Sequence, residues 1–343
     1  MTTQTEPMTD LARYGALVTD DLCRRFTTAA HPSYLAAPMS DYPSRRGKAL
    51  RPSICLATCE AFGGTLDDAL PSAVAIELLH NAFLIHDDIE DASLLRRGEP
   101  TLHRRYGTPL ALNAGDGLAL QAMATLRENI DRHGPRLAER IMMEFDFMSQ
   151  QTVAGQAIEL GWCRDNYVDL GPDDYLELIM KKTCWYTTVL PLRVGALLGS
   201  RGGAALDPMI EFGFHLGAAF QIRDDVLNLV GDPDVYGKEA LGDLLEGKRT
   251  LMLIHLLASA DPADRRWLVA YLGREPSERR TEDVDRVLEL MVSYGSIAFA
   301  SEFATGVART ALVSMDAAFA GLDDGPARRF IAWLVPYMIE RVS

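Results

Sequence analysis

The sequence predicts an all-α protein, a large helical bundle around a central cavity. Of 343 residues, 48% are hydrophobic but only 8% aromatic, so the core must be built mainly from Leu, Ala, Ile, Val and Met, which favours helices over strands. Apolar residues recur at helical spacing through most of the chain, and nothing reads convincingly as a sheet. No Ser/Gly/Pro-rich linker or abrupt change of composition divides it, so residues 1–343 are expected to form a single domain.

Taken in order, the first eight or so residues are polar and expected to be disordered, and residues 9–29 have the spacing of one helix. The segment from His31 to Gly47, with Pro32, Pro38 and Pro43, reads as a loop. A second helix is expected near Pro52, since proline is tolerated in a first turn. From Asp67 to Asp91 an Ala/Ile/Leu-rich helical face, with Pro71 near its start, leads into the acidic run DDIED. Further helices are predicted at about 109–132, 135–161, 173–199, 206–231, 250–260, 281–319 in one or two pieces, and 326–341. The period lapses at 93–108, 200–204, 231–248 and 320–325, and two of these breaks directly follow acidic motifs. The stretch from Leu251 onward offers helical periodicity but no residue to assign to chemistry, and its Trp267, Trp333 and Met338 read as core.

A formal net charge of −14 argues against a general nucleic-acid binder, because such proteins neutralise phosphates with a Lys/Arg excess. An anionic ligand would need local basic clusters or metal ions. Cysteines at 23, 55, 59, 163 and 184 form no CxxC pair, which fits a reducing compartment. The start MTTQTEPMTD has neither a basic region nor an apolar run, and no stretch of about 18 uncharged apolar residues occurs, so a cytoplasmic protein without stable membrane insertion is expected.

The strongest chemical signal is Asp87-Asp88-Ile89-Glu90-Asp91 at the end of an apolar helix. Asp87 and Asp91 lie four apart and share a face, where like charges repel unless a cation joins them. Mg²⁺ suits such oxygens, because it bridges one or two carboxylates to substrate phosphates. A lone DDxxD is more often a solvated helix end, but a second run, Asp224-Asp225-Val226-Leu227-Asn228, also follows an apolar helix and puts Asp224 and Asn228 on one face. Two such helices facing each other could hold metal ions between them. Basic residues cluster nearby in sequence: Lys48 and Arg51, Arg96 and Arg97, Lys182, Lys238 and Lys248. Arg and Lys are the usual diphosphate clamps.

With these stretches in order, the sequence resembles the trans-isoprenyl diphosphate synthases, or polyprenyl synthetase family, from about Gly47 to Thr250. The matching segments are GKALRP, ELLHNAFLIHDDIEDASLLRRGEPTLH, GQAIEL, KKT, FQIRDDVLNLVGD and GDLLEGKRT. The resemblance implies the isoprenoid synthase fold, a homodimer, and a Mg²⁺-dependent coupling of isopentenyl diphosphate to an allylic diphosphate. It implies that Lys48, Arg51, His80 and Arg97 hold isopentenyl diphosphate, and that Arg96, Lys182, Thr183, Gln221 and Lys238 hold the allylic diphosphate, with Lys248 close by. It further implies that Asp87 and Asp91 bind two Mg²⁺ ions and Asp224 a third, with Asp88 and Asp225 supporting. In such a reaction the charges stabilise the departing pyrophosphate, the allylic cation is attacked by the isopentenyl double bond, and the released pyrophosphate takes the proton.

The second motif ends in Asn228 where DDxxD is usual, and Arg46-Gly47-Lys48 replaces the usual Gly-Gly-Lys. His86 beside Asp87 reads as a core histidine, and His103 and Arg105 are ambiguous. Chain length in the family depends on bulk just upstream of the first motif, where Ala82 and Phe83 stand. Phe83 would project on the face of Asp87 and could stop a growing chain, whereas Ala82 would leave space beside it. The motif pair looks most like geranylgeranyl (C20) synthases, so C20 is expected, with C15 next. A class I terpene cyclase would need no isopentenyl site, and a regulatory subunit would not need Asp87, Asp91, Asp224 and Lys182 intact.

Overall fold

A computed structural model describes residues 5–28, 33–45, 47–231 and 241–340. Its long elements are α1 (Thr5–Thr28), α3 (Leu50–Ala61), α4 (Leu66–Glu90), α6 (Thr108–Leu126), α8 (Pro135–Arg164), α11 (Asp207–Val230), α16 (Ser296–Ala318) and α17 (Pro326–Glu340), with shorter helices between them. Helix α1 thus starts within the polar stretch, and residues 1–4 lie outside the described ones.

Helix α4 is the spine of the site. It starts at a capping box, with the Thr65 hydroxyl accepting from the Asp68 N–H and the Asp68 carboxylate accepting from the Thr65 N–H. It then buries nearly every residue from Ala69 to Ala82 against α3, α6 and α10 (Leu190–Gly199). By length and composition α4 could cross a membrane, but 78% of its apolar window is buried inside the protein, as expected of a core helix apolar on all sides.

The expected helix at 173–199 comprises three parts: α9 (Pro172–Ile179), a π-helical segment Met180–Val189, and α10. The wide turn carries Lys182, Thr183 and Tyr186, a common place for irregular helix to occur at a site. Two glycines let neighbouring helices lie directly on it. A Cβ at Gly155 of α8 would stand 2.3 Å from the Lys182 amide nitrogen, and one at Gly217 of α11 would stand 3.0 Å from the Cys184 Cα. On its far side α11 packs on α16. The 281–319 pattern resolves into α15 (Thr281–Ser293) and α16, bent by 61°, with Gly295 at φ +70° between them.

Other segments also differ from the sequence expectation, among them the short helices Leu102–Tyr106 and Gly242–Glu246 within expected breaks. Residues 33–44, expected as loop, form α2 (Ser33–Ser44) in spite of Pro38 and Pro43. Met39, Asp41 and Tyr42 are buried there, and this packing outweighs the backbone bonds that proline removes. Helix α14 (Pro262–Leu272) was not foreseen, although Asp261 caps it by accepting from the N–H groups of Ala263 and Asp264 at 2.8 and 2.9 Å. Residues 95–100 form a two-residue hairpin, β1 (Leu95–Arg96) against β2 (Glu99–Pro100). Its turn residues Arg97 and Gly98 have φ of +57° and +76°, as a type I′ turn requires.

Candidate active site

The C-terminal ends of α4 and α11 open on one cavity of about 940 Å³. Asp87 and Glu90 from α4 and Asp224 and Asp225 from α11 stand on its wall, with Lys182, Thr183 and Tyr186 from the π-helical segment. Lys48, Arg51, His80, Phe83, Arg96, Arg97, Gln221 and Lys248 complete the part of the wall foreseen from the sequence. Lys48, Arg51, His80, Asp87, Arg96, Arg97, Lys182, Thr183, Gln221, Asp224, Asp225 and Lys248 are therefore brought together from across the chain, whereas Asp91 is not on the wall and is bonded to Lys248, which is. Lys238 falls outside the described residues.

Lysines neutralise the acidic end of α4 in this structure. Lys248 Nζ lies 2.6 Å from Asp91 and 2.7 Å from Glu246. Lys182 pairs with Glu159 and lies 3.6 Å from Asp87. Burial opposes the Lys182 charge, but Glu159 and then Asp87 outweigh it and raise the ammonium above its ordinary value. Burial, then the Asp87 charge, pushes the Asp91 carboxyl up to about 8. Burial, then Asp243, pushes Asp225 up to about 8. Asp91 is crowded by Asp87 and Glu246, and Asp225 by Asp243 and Asp224, so a multivalent cation beside either set would favour the ionised forms.

Among the described residues no three His, Cys, Asp or Glu side chains converge as a ready-made metal site. The carboxylates that line the cavity, Asp87 and Glu90 from one helix end and Asp224 and Asp225 from the other, are oxygen donors suited to Mg²⁺, which takes one or two carboxylates and completes its shell with phosphate oxygens and water.

Asp88 is fully buried and not on the wall. It accepts from Arg96 Nε at 3.0 Å, and Arg96 also reaches within 3.6 Å of Asp87. On the second helix Asp225 accepts from Tyr175 Oη and Gln221 Nε2, both at 2.7 Å. Thr183 Oγ1 donates to Gln221 Oε1 at 3.0 Å, tying the π-helical segment to α11. Asn228, expected beside Asp224, is instead buried away from the cavity. Its Oδ1 accepts from the Asp243 N–H at 3.2 Å, so the amide fixes α12 (Gly242–Glu246) and with it Asp243 on the cavity wall.

A second group of cations lies around α3. Arg51 donates to Tyr186 Oη at 2.8 Å and lies 3.4 Å from His80 Nε2. Burial, then Arg51, holds His80 well below its ordinary value, so the ring is neutral. Its Nδ1 is buried without a hydrogen-bond partner among the described residues. Lys48 is exposed, 5.9 Å from the centre of the Tyr337 ring. A Cβ at Gly47 would meet Arg97 Nη2 at 2.6 Å, so any larger residue there would displace the guanidinium from its present place.

Phe83 is on the wall, edge-on to Tyr186 at 5.8 Å. Ala82 is 1% exposed and is not on the wall. His86 does line the cavity and lies 3.6 Å from Asp116. Arg105 is away from it, paired with Asp41 and Glu99.

Sequence reasoning gave no role to Glu77, Gln156, Glu159, Asp243 or Tyr337, all on the wall. Gln156 and Glu159 were legible, being three apart in GQAIEL and so on one helical face; Gln156 Nε2 donates to Glu90 at 2.6 Å. Tyr337 corrects the reading that the C-terminal third contributes nothing to the site.

The polyprenyl synthetase family profile matches residues 32–291. A short chain isoprenyl diphosphate synthase of Methanothermobacter thermautotrophicus is 31% identical over 97% of this chain and 98% of its own. A geranylfarnesyl diphosphate synthase of Aeropyrum pernix is 34% identical over 87% of this chain and 91% of its own. Among solved structures, a geranylgeranyl pyrophosphate synthetase from Pyrococcus horikoshii superposes with a TM-score of 0.84 at 30% identity, covering 97% of this chain and 98% of that one. The extent of these matches, over a chain whose two acidic helix ends meet at one cavity, shows that it belongs to the polyprenyl synthetase family and is a prenyltransferase.

Proposed function

We propose that the enzyme couples isopentenyl diphosphate to an allylic diphosphate (dimethylallyl, geranyl or farnesyl) in a Mg²⁺-dependent reaction, with geranylgeranyl diphosphate (C20) as product and farnesyl diphosphate (C15) next in preference. The observation that carries this is two sets of cations with different partners on the wall of one cavity. Lys182, Lys248 and Arg96 pair with the acidic end of α4, whereas Arg51 and His80 lie together at Tyr186, and Lys48 and Arg97 line the same wall. Two anionic substrates need two such sets, whereas a terpene cyclase would need only the first.

Arg96, Lys182, Thr183, Gln221 and Lys248 hold the allylic diphosphate, with Lys238 as a further contact. Lys48, Arg51, His80 and Arg97 hold isopentenyl diphosphate. Asp87, Asp91 and Asp224 would hold three Mg²⁺ ions, which when bound offset the charge that builds on the leaving group. Lys182 and Arg96 add fixed positive charge at the same place. The allylic C–O bond breaks with its electron pair leaving on pyrophosphate, the isopentenyl double bond supplies the pair for the new C–C bond, and pyrophosphate takes the proton lost. Phe83 and the apolar wall beyond it shield the cation from water and limit the tail.

The whole chain acts as one isoprenoid synthase domain, and two copies form a homodimer through α6, where Leu112 and Leu120 are 44% and 71% exposed. The five free cysteines are in keeping with a cytoplasmic location. Incubating the purified protein and Mg²⁺ with isopentenyl diphosphate and each allylic diphosphate in turn tests the reading. Elongated diphosphates that require both substrates are expected; hydrocarbon or alcohol from an allylic diphosphate alone would overturn it.

A further inference from the structure

Arg96 and Arg97 are adjacent in sequence and both line the cavity, and both connect, Arg96 through Asp88 and Arg97 directly, to one buried tyrosine that is not on its wall. Tyr42 is 1% exposed. Its hydroxyl donates to Asp88 Oδ2 at 2.5 Å and accepts from the Leu102 N–H at 3.1 Å. Its carbonyl accepts from Arg97 Nη1 at 3.2 Å. Because Asp88 holds Arg96, the side chain of Tyr42 reaches one arginine and its backbone reaches the other.

The end of α2 is itself clamped. Asp41, with 4% of its side chain exposed, accepts from Arg45 Nε at 2.6 Å and Arg105 Nη1 at 2.8 Å. Arg45 lies 4.5 Å over the Tyr42 ring and donates to the carbonyls of Arg96 and Pro100 at 3.0 and 2.8 Å. The hairpin needs this support, since Arg97 has φ +57°, a region that disfavours a side chain.

We propose that Tyr42 is a positioning residue for the two substrate diphosphates, its hydroxyl setting the Arg96 guanidinium through Asp88 and its carbonyl setting that of Arg97. This rests on the proposed coupling reaction, with Arg96 on the allylic side and Arg97 on the isopentenyl side. Removing the hydroxyl alone leaves the carbonyl in place, so the two substrates respond differently.

The test measures KM for each substrate, kcat and the melting temperature for Tyr42→Phe. Loss of part of a charge-assisted hydrogen bond is expected to raise the allylic KM roughly 3- to 10-fold. The isopentenyl KM stays within about twofold and kcat changes less than the allylic KM, because the carbonyl contact survives. In an Arg96→Lys background the same change should have no further effect on the allylic KM. Equal rises in both KM values, or full additivity with Arg96→Lys, would overturn the proposal. If Tyr42→Phe does not fold, Asp41→Asn, which loosens Arg45 and so its bonds to the hairpin that carries both arginines, should raise both KM values; unchanged values would overturn it. A wild type that couples the substrates alongside a Tyr42→Phe enzyme with unchanged KM values defeats this proposal alone, whereas a wild type that does not couple them defeats the reaction it rests on.

Discussion

Phe83→Ala should lengthen the product. Phe83 stands one helical turn before Asp87, about 6 Å along α4, and its ring faces the cavity against Tyr186 at 5.8 Å. A chain extended past it must occupy the space of the ring. Each added isoprenoid unit brings five carbons, and at about 0.8 kcal/mol per buried CH₂ an open tunnel would favour its burial by up to ~4 kcal/mol. That is a factor of ~10³ in relative stability, so removing the block should change the main product and not merely its minor components. The ring is only partly buried, so the loss of stability should fall below the about 3–5 kcal/mol of a fully buried Phe→Ala change. The assay uses labelled isopentenyl diphosphate, dephosphorylation and reversed-phase chromatography of the alcohols. The expected main product is at least one unit longer than that of the wild type. An unchanged product from a well-folded, active variant would refute the assignment of Phe83 as the stop.

Lys182→Met removes the ammonium 3.6 Å from Asp87 and should lower kcat by roughly 10²–10³-fold, read as steady-state coupling at saturating substrate. Gly155→Ala places a methyl group 2.3 Å from the Lys182 amide nitrogen, which backbone cannot yield cheaply; a loss of about 1–3 kcal/mol and of activity is expected, by thermal melting and coupling assay. Asp91 and Asp225 are raised from 3.8 to about 8 in the fold. A raised folded value means that the folded state binds more protons, so the stability they contribute is complete below about 4 and is lost as pH rises through about 8. Melting in EDTA should therefore drop between about pH 6 and pH 8, and Mg²⁺ should stabilise more at the higher pH, where it meets ionised carboxylates.

Four-residue spacing showed only that Asp87 and Asp91 share a face; it took a second run at Asp224, the basic clusters and the family resemblance in order to single out Asp87, Asp91 and Asp224 as expected metal ligands. Other parts of the site depend on contacts far apart in sequence. Pro38 and Pro43 are local signals for a loop, yet Met39 and Tyr42 find buried places and α2 forms. The π-helical turn leaves no local signature in MKKTCWYTTV, because it is set by close approach of α8 and α11 at their glycines. Asp243 is brought to the cavity by a turn that Asn228 holds at both ends, its Oδ1 accepting from the Asp243 N–H and its carbonyl from the Leu241 N–H. The neutral residue that looked like a weakened metal corner is thus the one that brings in another carboxylate. Tyr337 arrives from the far end of the chain, where periodicity alone says no more than helix.

Anomalous scattering from crystals grown with Mn²⁺ and an unreactive thio-analogue of an allylic diphosphate tests the central claim most directly, that the two acidic helix ends hold a diphosphate through divalent ions. Peaks between the diphosphate and Asp87 with Asp91, and a further peak at Asp224, are expected, with Lys248 drawn from Asp91 toward the ligand. A diphosphate bound without metal at these carboxylates, or metal peaks only elsewhere, would contradict it.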